Sequence, residues 1–224
     1  MSAAIPPLPD PAPLRHRWDR LCERVGAFKT AEESDLTFEM LATMYAHPPR
    51  AYHNLGHIAQ VLTIYDAAAM LAEDRDAVEF ALWMHDCVFF PERPDNESRS
   101  ADAASMIAGL LGCPADFTSR VRDLIAATKH SGPPARGDAS LVADTDLSIL
   151  AAPTADYDTY RAAIRREFDF ADDGQFRTGR AAFLERMLAR DHIFSTQWFR
   201  GEMEHLARGN MQRELDDLTC PPAG

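Results

Sequence analysis

Wherever apolar residues form a long stripe in this chain, they recur with the three-to-four-residue spacing of a helix. Leu14, Trp18, Leu21, Val25 and Phe28 predict a first helix, and Phe38, Leu41 and Tyr45 a second that Pro48 and Pro49 bring to an end. The stretch AYHNLGHIAQVL then opens a third, whose buried stripe is Ile58, Val61, Leu62 and Tyr65. EFALWMHDCVFF is apolar on nearly every side and predicts a central helix. PERPDNES reads as a polar loop, with DNES entering another helix that ends near LLGCP. Phe117, Val121, Leu124, Ile125 and Thr128 mark a further stripe, stopped by the SGPPARG loop. SLVADTDLSIL, ADYDTYRAAIRREF, GRAAFLERMLAR and EMEHLARGNMQREL supply four more helices. No stretch alternates with strand period, and no repeat or interdomain linker stands out. The predicted fold is all-α, a single-domain helical bundle over residues 14–220 behind a proline-rich flexible tail at 1–13.

Against this apolar pattern, a few polar residues are out of place. His53 and His57 lie four apart on one side of the third helix, and Val61 continues their line into the core. His85 and Asp86 follow Leu82, Trp83 and Met84 and precede Val88, Phe89 and Phe90, where an ionised carboxylate costs several kcal/mol unless something compensates it. In SLVADTDLSIL, Asp146 shares a helical face with Val142, Ile149 and Leu150, while Asp144 falls with Leu141, Leu147 and Ser148. Two carboxylates two residues apart cannot point the same way on a helix, and Asp146, with the more apolar neighbours, is preferred as the inward one. His57, His85, Asp86 and Asp146 therefore all need buried partners. One divalent cation would satisfy them together, since neutral imidazoles and carboxylates are ordinary ligands for such ions. The competing reading is that each is separately hydrogen-bonded in the core.

Composition narrows the setting. With 23 Lys and Arg against 35 Asp and Glu, the formal charge of −12 argues against extended binding to nucleic acid or to an anionic membrane surface. No apolar run reaches membrane-spanning length. Cys22, Cys87, Cys113 and Cys220 form no CxxC pair and read as free thiols of a reducing compartment, and MSAAIPPLPDPAP lacks the features of a signal peptide. The expected localisation is cytoplasmic.

The order His, His-Asp, distant Asp, all on helices, resembles the HD superfamily of metal-dependent phosphohydrolases. More narrowly, YHNLGHI, ALWMHDCVFF, NESRSA, ATKH and DTDLSIL are similar to the predicted HD phosphohydrolases of about this length, and the likeness runs on through YRAAIRREF and GRAAFLERML to ARGNMQREL. Where that family carries an aromatic-Asp pair soon after the His-Asp, this chain has Phe89-Phe90. The resemblance implies a metal site of His57, His85, Asp86 and Asp146, holding a divalent ion such as Mn, Fe, Ni, Zn or Mg, with Asp86 able to bridge a second. It implies hydrolysis of a phosphomonoester or phosphodiester, a nucleotide-like small molecule, by water that the ion acidifies. The YHN…H segment is also similar to the metal-site opening of cyclic-nucleotide phosphodiesterases, in which the second His is a ligand and the first assists the leaving group. His53 is accordingly expected to act with Asp86 in catalysis.

Lys129, Arg161, Arg165 and Arg180 are candidate phosphate clamps, although a solvated helix face or an ion pair with Glu167 or Asp169 explains each of them as well. His130 reads as an extra ligand, a phosphate contact or a helix-ending histidine favoured by the helix dipole. Glu97 either orients water at the ion or sits in a first helical turn that favours negative charge. Asn54 either shapes the entry to its helix or touches substrate. Two other classes of function remain open on this reading. One is a di-iron oxygenase of the HD fold, with His53 and His130 as its additional histidines, and the other a non-catalytic nucleotide-binding module.

Overall fold

The structure is a computed structural model, describing residues 11–26, 31–48, 50–130 and 135–220. The segment read as a tail falls outside these up to residue 10, and so do four residues of the SGPPARG loop. The chain falls into two compact units, Met1–Asp146 and Leu147–Gly224. Both are helical, and no strand occurs among the described residues.

The first unit contains α1 (Pro11–Val25), α2 (Ala31–Tyr45), α3 (Leu55–Ala68), α4 (Arg75–Met84), α5 (Asn96–Leu110), α6 (Ala115–Ala126) and α7 (Asp138–Asp146). α1 begins inside the expected tail, at a proline, which the first turn of a helix tolerates because its N–H has no intrahelical partner. α4 is the axis of the unit, as its all-round apolar pattern requires: every residue from Ala77 to Met84 is buried, and α1, α3, α5, α6 and α7 all pack on it. Trp83 and Trp18 meet edge to face with ring centres 5.4 Å apart, with Phe80 beside Trp18 and Phe38 beside Trp83. The Trp18 indole N–H donates to Thr37 Oγ1 at 3.1 Å, so that polar group is not stranded. Glu79, also on α4, is buried between Arg17 and Arg24 of α1 and bonded to both.

The predicted central helix is shorter than its apolar run. α4 stops at Met84, and the chain turns through His85 and Asp86, with the Cys87 N–H bonding back to the Met84 carbonyl. The freed carbonyls at this end are taken by side chains: Tyr45 donates to Trp83 O at 2.9 Å, and His85 Nδ1 lies 2.9 Å from Leu82 O. Likewise SLVADTDLSIL is not one helix, since α7 ends at Asp146 and Leu147–Ala151 tightens into a 3-10 turn.

The second unit holds that turn with α8 (Thr154–Glu167), α9 (Asp173–Leu188) and α10 (Gln197–Thr219). Asn210 of α10 donates to the carbonyls of Leu150 and Ala152, fixing the turn to the long helix. Buried Glu214 accepts from Tyr157 of α8 and from two nitrogens of Arg180 on α9. Arg180 and Arg161 both face Glu214, and Arg161 also pairs with Asp217 at 2.9 Å. Arg165, expected as a phosphate contact, spends its guanidinium on the carbonyls of Phe168 and Ala171 and on Asp173, closing the α8–α9 turn.

Candidate metal centre

Three helix ends of the first unit build the site. Asn54 caps α3, accepting from the Gly56 N–H at 2.7 Å while its amide donates to Ala51 O. This cap starts the helix directly after His53 and places His57 in the first turn, buried in line with Ile58 and Val61. His85 caps the C-terminus of α4 and Asp86 follows it, while Asp146 closes α7. Two helix C-termini, each carrying the negative end of a backbone dipole, thus come to the site, a setting that favours a cation.

The donor atoms converge. His57 Nε2 and His85 Nε2 are 3.1 Å apart. Asp86 Oδ2 lies 3.1 Å from His85 Nε2 and 3.6 Å from His57 Nε2, and Asp146 Oδ1 lies 3.3 and 3.4 Å from the same two nitrogens. All four residues can offer one ligand atom within 4.8 Å of the others. Ligand bonds of about 2.0–2.2 Å put neighbouring donors roughly 3.0–3.5 Å apart in octahedral or tetrahedral coordination. The observed spacing fits a divalent ion, and two carboxylates match its charge. A mixed imidazole and carboxylate set suits Mn, Fe, Ni and Zn, and is open to Mg.

Protonation of the four is mutually dependent. Burial pushes both imidazoles toward neutrality, and for His57 that burial, helped by the neighbouring His85 charge, keeps the ring pKa low. At His85 burial is outweighed by Asp86 and Asp146, which raise it well above an ordinary histidine. Burial works against both carboxylates as well, but the charge on His85 holds Asp86 and Asp146 below the usual carboxylate range. The carboxylates thus favour the charged form of His85, while burial favours the neutral form of His57.

Around this cluster the other expected residues are distributed unevenly. His130 Nε2 is 2.8 Å from Asp146 Oδ2, and its backbone is left-handed at φ +52°, the only such non-glycine residue among those described. That conformation, to which histidine is more tolerant than most side chains, ends the 3-10 turn Ala127–Lys129 and brings the ring to Asp146. His53 Nε2 lies 3.9 Å from Asp86 Oδ2 at a site rim where both side chains keep some solvent exposure, and its ring stacks on Phe89 at 4.0 Å. Lys129, beside His130, is exposed, and Glu97 sits half-buried in the first turn of α5. Asp144 is buried almost completely, contrary to the expectation that only one aspartate of the pair points inward, because α7 is packed by α3, α4 and α6 on more than one side. The four convergent residues nevertheless include Asp146 and exclude Asp144.

Arg50 was not singled out from the sequence. Its guanidinium donates to the carbonyls of His53, Asp86 and Cys87 at 2.7–2.9 Å. Only its position, between two prolines and the YHN stretch, could have drawn attention to it. His57 Nδ1 has no hydrogen-bond partner among the described residues, so packing against Tyr52, 4.7 Å between ring centres, orients that imidazole.

No family model, curated protein or solved structure matches this chain. Among the described residues no helix is long and apolar enough to cross a membrane.

Proposed function

We propose that this protein is a metal-dependent phosphohydrolase of the HD type, cleaving a phosphomonoester or phosphodiester of a nucleotide-like small molecule. The observation that carries this reading is the convergence of His57, His85, Asp86 and Asp146, in that chain order, at three helix ends of an all-helical unit. A divalent ion held there supplies Lewis acidity, lowering the pKa of water and neutralising charge on phosphoryl oxygens. The chain's own groups do the rest. His57 and His85 present Nε2, and Asp86 and Asp146 provide two negative charges. His130 engages Asp146 Oδ2 and leaves Oδ1 facing the two imidazoles. His53, held flat against Phe89 at the rim, is placed to hold a proton for the leaving oxygen. Lys129 and His130 offer positive or hydrogen-bonding contacts to the phosphate, and a small substrate suits a chain of net charge −12.

The test is metal analysis of the purified protein followed by a screen of phosphate esters with Mn²⁺, Ni²⁺, Fe²⁺ and Mg²⁺. Ion-dependent hydrolysis supports the reading, and a bound ion without turnover of any ester points to a non-catalytic nucleotide-binding module. His53→Ala should keep its ion and fold but lose kcat by about 10²–10⁴-fold. That loss should be smallest for nitrophenyl esters, whose leaving group needs little protonation. An ion-free His53→Ala protein would make this ring a ligand instead.

One observation favours a second reading. His53 and His130 add an imidazole beside each carboxylate, as a di-iron oxygenase would require. Dioxygen consumption by the reduced, iron-loaded protein distinguishes the two.

A further inference from the structure

Asp86 and His53 belong to different elements, one after the C-terminus of α4 and the other before the N-terminus of α3, yet both must keep fixed positions for the proposed site to work. Neither lies inside a helix whose ladder would hold it. One side chain spans the gap. Arg50 Nη1 donates to His53 O at 2.8 Å and to Asp86 O at 2.7 Å, and Nη2 donates to Cys87 O at 2.9 Å. The planar guanidinium presents its donors in a fixed fork, so three carbonyls bound at once define the relative position of two backbone segments, which a single ammonium cannot do. Two rings lie beside the clamp, with the guanidinium carbon 5.1 Å from the centre of the Tyr45 ring and 5.7 Å from that of Phe89. Phe89 is the ring on which His53 stacks, and Tyr45 is the residue that caps the α4 carbonyl at Trp83.

The bonded carbonyls are those of His53, Asp86 and the residue after it, with no carboxylate among the acceptors. An ordinary structural ion pair would have found an acid, as Arg17, Arg24 and Arg180 do. Its position beside the site also invites comparison with a phosphate-binding arginine, but the fork is turned into the backbone.

We infer that Arg50 is a positioning residue: it holds the His53 turn against the His85-Asp86 turn, setting both the Asp86 carboxylate and the His53 ring. The inference rests on the proposed metal site for its consequence, but its geometry can be tested without an ion. Arg50→Lys keeps the charge and stem but loses the fork, and Arg50→Gln serves as a second variant if the first does not fold. In ion-free protein, nuclear Overhauser contacts between the His53 and Phe89 rings should be present in wild type and lost or redistributed in the variant. With Mn²⁺ titrated into folded samples, the variant should bind about 10–100-fold more weakly, the usual effect of disturbing groups that orient metal ligands. Unchanged ring contacts in the variant overturn the inference, and so do unchanged Mn²⁺ affinity and a lowered Tm alone, the signature of a merely structural arginine. If wild type binds no divalent ion, the functional reading fails while the ring contacts still decide for or against the clamp.

Discussion

Among the charges that act on the buried His85 ring, that of Asp86 is the largest. Its Oδ2 is 3.1 Å from His85 Nε2, and it heads the groups that keep His85 charged against the cost of burial. In the absence of an ion, that proton on His85 compensates the carboxylates. With an ion bound, the carboxylates are compensated directly and the proton must leave. Asp86→Ala should therefore abolish ion binding, because one carboxylate and two imidazoles leave a dication poorly neutralised. Equilibrium dialysis with elemental analysis reads this directly, and wild-type stoichiometry and affinity in Asp86→Ala would remove the site. The neighbouring aspartates make a sharper comparison. Asp144 is the more deeply buried of the pair, but Asp146 holds Oδ1 within 3.4 Å of both imidazoles. Asp146→Asn should lose the ion, whereas Asp144→Asn should keep it at full stoichiometry while lowering Tm. The opposite pattern would mean that burial, rather than convergence, identifies the ligand.

At the scale of the elements, the helical spacing of apolar residues pointed to most of the α-helices among the described residues, since most bury one stripe against a neighbour, while α4 is buried on all sides. Helix ends were less legible. The stop at Met84 is hard to see in ALWMHDCVFF, because one terminal carbonyl is taken by the distant Tyr45 and the turn beyond it is held by Arg50, with only His85 acting from within the stretch. The same reason hid Arg50 itself, since a side chain that binds backbone carbonyls has no partner type to search for in sequence. The four ligand candidates were legible because a carboxylate or imidazole in an apolar run raises a question that only burial with a partner answers. In the second unit the partners of Arg180 were missed for the converse reason: Glu214 lies 34 residues away and only packing of α9 on α10 joins them. That junction yields a prediction. The Tyr157 hydroxyl donates to Glu214 Oε2 at 2.5 Å, and burial, reinforced by the Glu214 charge, raises its pKa above the ordinary value of 10.0. A phenol raised in the fold contributes stability that is complete below the unfolded pKa and is lost as pH climbs from about 10 toward the folded value. Tyr157→Phe should cost about 1–3 kcal/mol near pH 8, from a buried acceptor losing one of its donors. It should also show a shallower decline between pH 10 and 11 than wild type. Urea unfolding at pH 8, 10 and 11 checks this, and parallel pH dependence in the two proteins would contradict it.

For the molecule as a whole, an ion at the proposed centre is a cross-link made only by the folded chain. His57, the His85-Asp86 pair and Asp146 are separated by long stretches of chain and carried by α3, the end of α4 and α7. An unfolded chain cannot hold them at 3–4 Å, so the ion binds the native first unit almost exclusively, and its binding free energy adds to the stability of that unit. At a free ion concentration about 100-fold above Kd the gain is about 2.7 kcal/mol. For a protein of this size each kcal/mol moves Tm by about 2–4 °C, so Tm should rise by roughly 5–11 °C. The four ligands all belong to the first unit. Calorimetry of wild type with a chelator and then with graded Mn²⁺ should show Tm climbing with the logarithm of free ion. Asp86→Ala should show a flat Tm over the same range, which separates binding at the centre from nonspecific association of cations with an acidic surface of net charge −12. Equal shifts in wild type and Asp86→Ala would assign the stabilisation to that surface and leave the four convergent side chains as a hydrogen-bonded cluster.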